Sequence, residues 1–149
     1  YRRNKGHLLA GNNLAWLMAQ EMQDVHEAYR ILQEIRQGKH RLKPMPGDQL
    51  PPDVLDTFGP VYLKLNKPEL GNERVELFEA AYRRYANNPR IAYHLGLAFG
   101  SVRDSRRAVQ ALLAARTLLI KSNLPADMQK QLNEQIQLAM REVENSNKP

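Results

Sequence analysis

The chain has 149 residues, 42% of them hydrophobic and 26% charged, which is enough apolar material for a folded core and argues against a disordered segment. The absence of cysteine excludes a disulfide scaffold, a thiolate zinc site and a cysteine nucleophile. The 22 lysines and arginines outnumber the 16 acidic residues, and the resulting net charge of +6 permits an acidic partner without requiring one. Because the sequence begins with Tyr1 rather than Met, we expect it to be a piece of a longer protein.

Three segments of the chain share one pattern, in which a bulky residue and a small residue are followed three positions later by a large apolar residue. A small residue removes the side chain at a crossing point and allows two helices to approach closely. The pattern therefore predicts three packed helices, one around each of the triplets Leu14/Ala15/Met18, Phe58/Gly59/Tyr62 and Leu95/Gly96/Phe99.

Each triplet is followed by a stretch whose apolar residues recur every three or four positions, in residues 24–37, 72–86 and 105–120. This spacing is typical of amphipathic helices and not of strands. We expect these helices to have N-caps at Asp24, at Asn72 and at Asp104 or Ser105. A last helix with a single apolar stripe is predicted over 125–144, so the fold class is all-α.

Prolines interrupt the helical pattern in two places. Four of them fall within residues 38–53, which predicts a loop between helix pairs. A further proline, Pro60, lies inside the predicted helix over residues 52–65. Since proline removes one helical hydrogen bond, we expect a kink or a short break near residues 56–59.

The order of these residues resembles the tetratricopeptide repeat (TPR), whose pattern is W-x2-L-G-x2-Y followed about nine residues later by A-x3-F. The third segment carries this pattern best, as Leu95-Gly96-x2-Phe99 followed by Ala108-x3-Leu112. In the second segment, Arg74 stands where the pattern expects a small residue. The amino-acid sequences of the three segments are most similar to the C-terminal repeats of large bacterial TPR proteins.

The resemblance implies one domain over residues 1–149, a right-handed α-α superhelix of about three helix pairs. The repeats would cover about residues 7–38, 52–86 and 89–121, and the helix over 125–144 would cap the array. In such proteins the first helix of each pair lines a concave groove that binds a peptide or a partner helix. The positions that match this groove are Asn12, Asn13, Trp16, Gln20, Asp53, Asp56, Thr57, Pro60, Lys64, Arg90, Tyr93, His94, Leu97 and Ser101.

The resemblance implies a non-enzymatic protein-binding scaffold. The four histidines have no metal-ligand spacing, and no catalytic or phosphate-binding motif is present, so we expect no metal or cofactor. Nucleic acid is disfavoured as a partner because no aromatic residues alternate with the basic ones. The sequence identifies neither the partner nor the compartment. We expect a soluble segment, located in the bacterial cytoplasm or periplasm or associated with the cell envelope.

The alternative interpretation is an architectural or self-associating repeat segment. In a TPR array the first helix has no preceding repeat to cover its outer side, which here carries Leu8, Leu9, Leu14 and Leu17. Contiguous exposed apolar residues often mark an interaction site. We therefore expect self-association through this N-terminal helix.

Overall fold

The computed structural model describes the backbone of residues 2–20, 24–38 and 43–146, and the side chains of those residues from residue 11 onward. Within these ranges there are seven α-helices and two short 3-10 turns, Gly47–Gln49 and Pro68–Leu70, and no strand. The all-α prediction is therefore confirmed. The helices are α1 (Arg2–Gln20), α2 (Val25–Gln37), α3 (Pro52–Leu65), α4 (Gly71–Arg84), α5 (Pro89–Ser101), α6 (Ser105–Ile120) and α7 (Ala126–Ser146).

Two of the expected N-caps are confirmed. The Asp24 carboxylate accepts a hydrogen bond from the Glu27 backbone N–H at 3.1 Å, and the Asp104 carboxylate accepts one from the Arg107 N–H at 3.2 Å. These side chains satisfy amide groups that the first helical turn leaves without an intrahelical partner.

The N-cap expected at Asn72 is wrong, because α4 already begins at Gly71 and the cap position is Leu70. The 3-10 turn of Pro68–Leu70 leads directly into this helix and moves its start forward. Helix α5 has an N-cap that was not predicted. The Asn88 side chain accepts from the backbone N–H groups of Arg90 and Ile91 at 3.0 and 3.3 Å.

Helix α3 is continuous from Pro52 to Leu65, so a break at residues 56–59 does not occur. Pro60 still removes one backbone donor, which costs helix stability. The helix compensates by burying most of its other residues, among them Phe58, Val61 and Tyr62. Tertiary packing of this kind stabilises helices more than local propensity does.

The chain divides into two compact units, residues 1–67 and 68–149. In the first unit, α1 packs against α2 and α3, and α2 packs against α3. The segment between α2 and α3 is tied to the end of α2. The buried Arg36 donates from Nε to the Met45 carbonyl at 2.9 Å, and the Met45 N–H donates to the Arg36 carbonyl at 2.6 Å. Leu50 is fully buried and anchors the chain just before α3.

In the second unit, α5 packs against α4, α6 and α7, and α6 packs against α7. The closest approach of α5 to α6 is at Gly96, where a Cβ atom, if one were added, would lie 2.7 Å from both Cγ and Cδ2 of Leu112. The role expected of the small residue is therefore realised at this crossing. Helix α7 buries one stripe of four residues, Leu132, Ile136, Ala139 and Val143.

Candidate functional site

The first unit places α1 and α3 side by side and running in the same direction. Near its middle, α1 contacts the start of α3, since Asn12 Nδ2 donates to the Asp53 carbonyl at 3.4 Å. Near its end, α1 contacts the end of α3, since Lys64 Nζ donates to the Ala19 carbonyl. Trp16 lies midway between these two contacts and one helical turn from Asn12. Helical spacing therefore places Trp16 near the side of α1 from which Asn12 reaches α3.

Trp16 is 49% exposed, although Ala15 and Ala19 on the same helix are buried. Asn13 and Gln20, two of the predicted groove residues, are also exposed. On α3, Asp53 and Lys64 are exposed, while Asp56 and Pro60 are half-buried. Leu63 was not among the expected positions, yet it is 55% exposed and lies one helical turn from Pro60 on the same side of α3. We call the exposed and half-buried members of this set, Asn13, Trp16, Gln20, Asp53, Asp56, Pro60, Leu63 and Lys64, the α1–α3 face.

Asn12 and Thr57 are buried and are not part of the α1–α3 face. Both side chains turn to the same atom, since Thr57 Oγ1 also donates to the Asp53 carbonyl, at 3.1 Å. The Asn12 Oδ1 atom is buried, and none of the described residues donates to it. Asn12 therefore links α1 to α3, whereas the Thr57 hydroxyl bonds within α3.

The second unit presents a row of partly exposed residues along one side of α5. These residues follow at spacings of three and four, so they share a helix face. We call this row the α5 stripe: Arg90, Tyr93, Leu97 and Ser101. At the start of the row, the Arg90 guanidinium lies 3.8 Å from the sulfur of Met128 on α7. The expected positions on α5 are thus brought together on one surface.

His94 is the exception, because it is buried beside the α5 stripe. Its ring centre lies 5.3 Å from the ring of Phe78 on α4 and 5.3 Å from the ring of Tyr93. Burial is the largest cause that lowers the pKa of His94 to about 3, and the positive charges of Arg74 and Arg90 lower it further. His94 is therefore neutral at ordinary pH and acts as a packing residue.

Tyr93 has a polar neighbourhood that the sequence did not indicate. Partial burial raises the pKa of its hydroxyl, and the negative charge of Glu142 on α7 adds to this, whereas Arg74 on α4 opposes it. Arg74 is itself buried, in the place where the repeat pattern expects a small residue. The α5 stripe is thus bordered by charged groups of both signs, from α4 and from α7.

The described residues hold no group of three or more histidine, aspartate or glutamate side chains placed to bind a metal ion. None of the described helices is long and apolar enough to cross a membrane. Comparisons with protein-family models, with curated proteins and with solved structures found no match. In the part of the chain that the structure describes, the helices pack in pairs, and each unit carries its own candidate site: the α1–α3 face in the first unit and the α5 stripe in the second.

Proposed function

We propose that the chain is a non-enzymatic scaffold of TPR type that binds a peptide or a partner helix. The observation that carries the proposal is the half-exposed Trp16, which lies one helical turn from the Asn12 side chain that bonds α1 to the parallel helix α3. Parallel neighbouring first helices are what stacked helix pairs of this type produce. The superhelical stacking of about three pairs is part of the same proposal.

The composition of the two faces supports a partner with apolar anchors. The α1–α3 face combines Trp16 and Leu63 with amide and mixed charged groups, and the α5 stripe combines Tyr93 and Leu97 with Arg90. Tryptophan, tyrosine and arginine are enriched among residues that dominate binding energy. An amphipathic helix or an extended peptide uses apolar anchors of this kind.

Replacing Trp16 with alanine is expected to weaken peptide binding by about 2 kcal/mol, which is about thirtyfold in Kd, because the variant loses a large rigid contact surface. Peptides can be selected from a random library on the immobilised chain and then titrated in solution. Trp16 is the single tryptophan of the chain, so its fluorescence reports the titration directly in the unmodified protein. The Trp16→Ala variant contains no tryptophan, so calorimetry measures its Kd.

Leu138→Ala is the matched control, because Leu138 is also a large exposed apolar residue but lies on α7. It should leave the Kd unchanged, and added salt should change the Kd little because few charged contacts are made. Two results would contradict binding at the α1–α3 face. One is an equal loss of peptide affinity in the Trp16 and Leu138 variants, and the other is peptide affinity that depends on Arg106 and Arg107 instead of Trp16.

A second candidate, self-association through the N-terminal helix, is favoured by the exposure of Leu14 and Leu17 on α1. Leu8 and Leu9, which belong to the same predicted apolar face, lie outside the residues whose side chains are described. We expect Leu17→Glu to shift a concentration-dependent dimer toward monomer in sedimentation velocity, since a charge would be buried in the contact. A monomer at every concentration in the unmodified chain would remove this candidate.

A further inference from the structure

The outward side of α6 combines arginines with large apolar side chains that the protein leaves exposed. Arg106, Leu113, Arg116 and Ile120 follow one another at spacings of seven, three and four residues, so they form one stripe of about 21 Å along the helix. We call these four residues the α6 stripe. Ile120 is 79% exposed and Leu113 is 39% exposed, whereas the opposite side of α6 is buried in the second unit.

The segment of the chain that contains this stripe has a strongly positive composition. Residues 101–125 contain five lysines and arginines and a single carboxylate, Asp104, so they carry four of the six net positive charges of the chain. The Asp104 carboxylate caps α6 and lies 3.6 Å from Arg107, which is not part of the stripe. Helix α6 itself contains no acidic residue. The α6 stripe therefore presents cations and apolar side chains with no carboxylate among them.

We propose that the α6 stripe binds the surface of a membrane that contains anionic phospholipids. Each lysine or arginine near such a surface gains electrostatic attraction, and exposed isoleucine and leucine side chains can enter the boundary between headgroups and acyl chains. Lys121, exposed and directly after α6, adds a cation at the end where Ile120 lies.

A bilayer suits this stripe better than a macromolecule does. The stripe contains no aromatic side chain on which a nucleic-acid base would stack. Apolar anchors in protein interfaces commonly fill preformed pockets, whereas a fluid lipid surface adapts to a single protruding side chain such as Ile120. The stripe lies on α6 and does not include any residue of the α1–α3 face or of the α5 stripe, so peptide binding and membrane binding are separate properties.

The test is flotation of the whole chain with lipid vesicles. We expect binding to vesicles of phosphatidylcholine mixed with phosphatidylglycerol, little binding to phosphatidylcholine alone, and release at high salt. The double variant Arg106→Gln, Arg116→Gln should lower the partition coefficient by about thirtyfold. Ile120→Ser should lower it by about fivefold because less apolar surface enters the bilayer.

Matched controls separate this stripe from a general effect of charge or hydrophobicity. Arg83→Gln with Arg84→Gln removes the same charge from exposed positions on α4, and Leu138→Ser removes an exposed apolar residue from α7. Both should retain vesicle binding, and circular dichroism confirms that every variant is folded. The proposal is overturned by the absence of binding to anionic vesicles, by equal losses in the control variants, or by a stripe-dependent preference for polyglutamate or duplex RNA over vesicles.

Discussion

Lowering the pH from about 7 to about 5 is expected to reduce the free energy of unfolding by about 2 kcal/mol through His94 alone. The folded protein keeps this histidine neutral, since burial and two nearby arginines lower its pKa from 6.5 to about 3. The unfolded chain takes up a proton as the pH falls below about 6.5, whereas the folded protein does not until about pH 3. Stability is therefore fully present above pH 6.5 and decreases by up to about 1.4 kcal/mol per pH unit below it.

The groups that face His94 all disfavour its protonated form. Arg74 on α4 and Arg90 on α5 are cations that repel a charged imidazole, and the Phe78 and Tyr93 rings pack against it. Urea denaturation followed by far-ultraviolet circular dichroism at several pH values measures the slope. Circular dichroism is the suitable signal because the single tryptophan, Trp16, lies in the other unit.

His94→Gln should flatten the dependence between about pH 7 and about pH 5, because the amide does not titrate. His26→Gln is the matched control, since His26 is exposed on α2, and it should retain the slope of the unmodified chain. If His94→Gln loses stability with acid as steeply as the unmodified chain does, another group must account for the acid sensitivity.

Gly96→Ala is expected to destabilise the second unit by about 2 kcal/mol, although alanine favours a helix more than glycine does. The new Cβ atom would lie 2.7 Å from two atoms of Leu112, one of them the branch point of that side chain. Leu112 is fully buried, so it has little room to move, and α5 and α6 would have to separate.

Gly100→Ala provides the matched comparison on the same helix. A Cβ atom at Gly100 would meet only Val143 Cγ2, at 3.9 Å, which is ordinary van der Waals contact. This variant should be neutral or more stable by up to about 1 kcal/mol, because alanine loses less backbone entropy on folding. Thermal and urea denaturation measure the change in the free energy of unfolding for each variant. If both variants lose a similar amount of stability, the close packing at Gly96 is not the cause of the destabilisation.

Much of the fold could be predicted because spacing determines which residues share a helix face. The recurring intervals of three and four indicated the helices, and the capping carboxylates marked the starts of α2 and α6. Two local predictions, the N-cap at Asn72 and a break of α3 at residues 56–59, were wrong for one reason. The start of α4 and the continuity of α3 through Pro60 depend on neighbouring turns and on packing, which local propensity does not include.

The candidate site could be predicted only in part. Exposure of Asn13, Trp16 and Gln20 agrees with the positions expected from the repeat pattern. Asn12, Thr57 and His94 match the same repeat pattern, but the packing of adjacent helices buries them. Leu63 shows the opposite outcome. It was not predicted as a site residue, because an apolar residue in a helix is ordinarily assigned to the core, yet it is exposed.

The sequence by itself determined the helical class, the small residue at the crossing of α5 and α6, and the rows of residues that run along each helix. Periodicity and side-chain size carry this information because they act within a few residues of the chain. Only the tertiary structure decided which residues on each helix are buried by neighbouring helices and which stay exposed. It joined Asn12 to Asp53, enclosed His94 between α4 and α5, and left Trp16 and Ile120 exposed. Burial depends on contacts between residues far apart in the chain, and local spacing does not encode them.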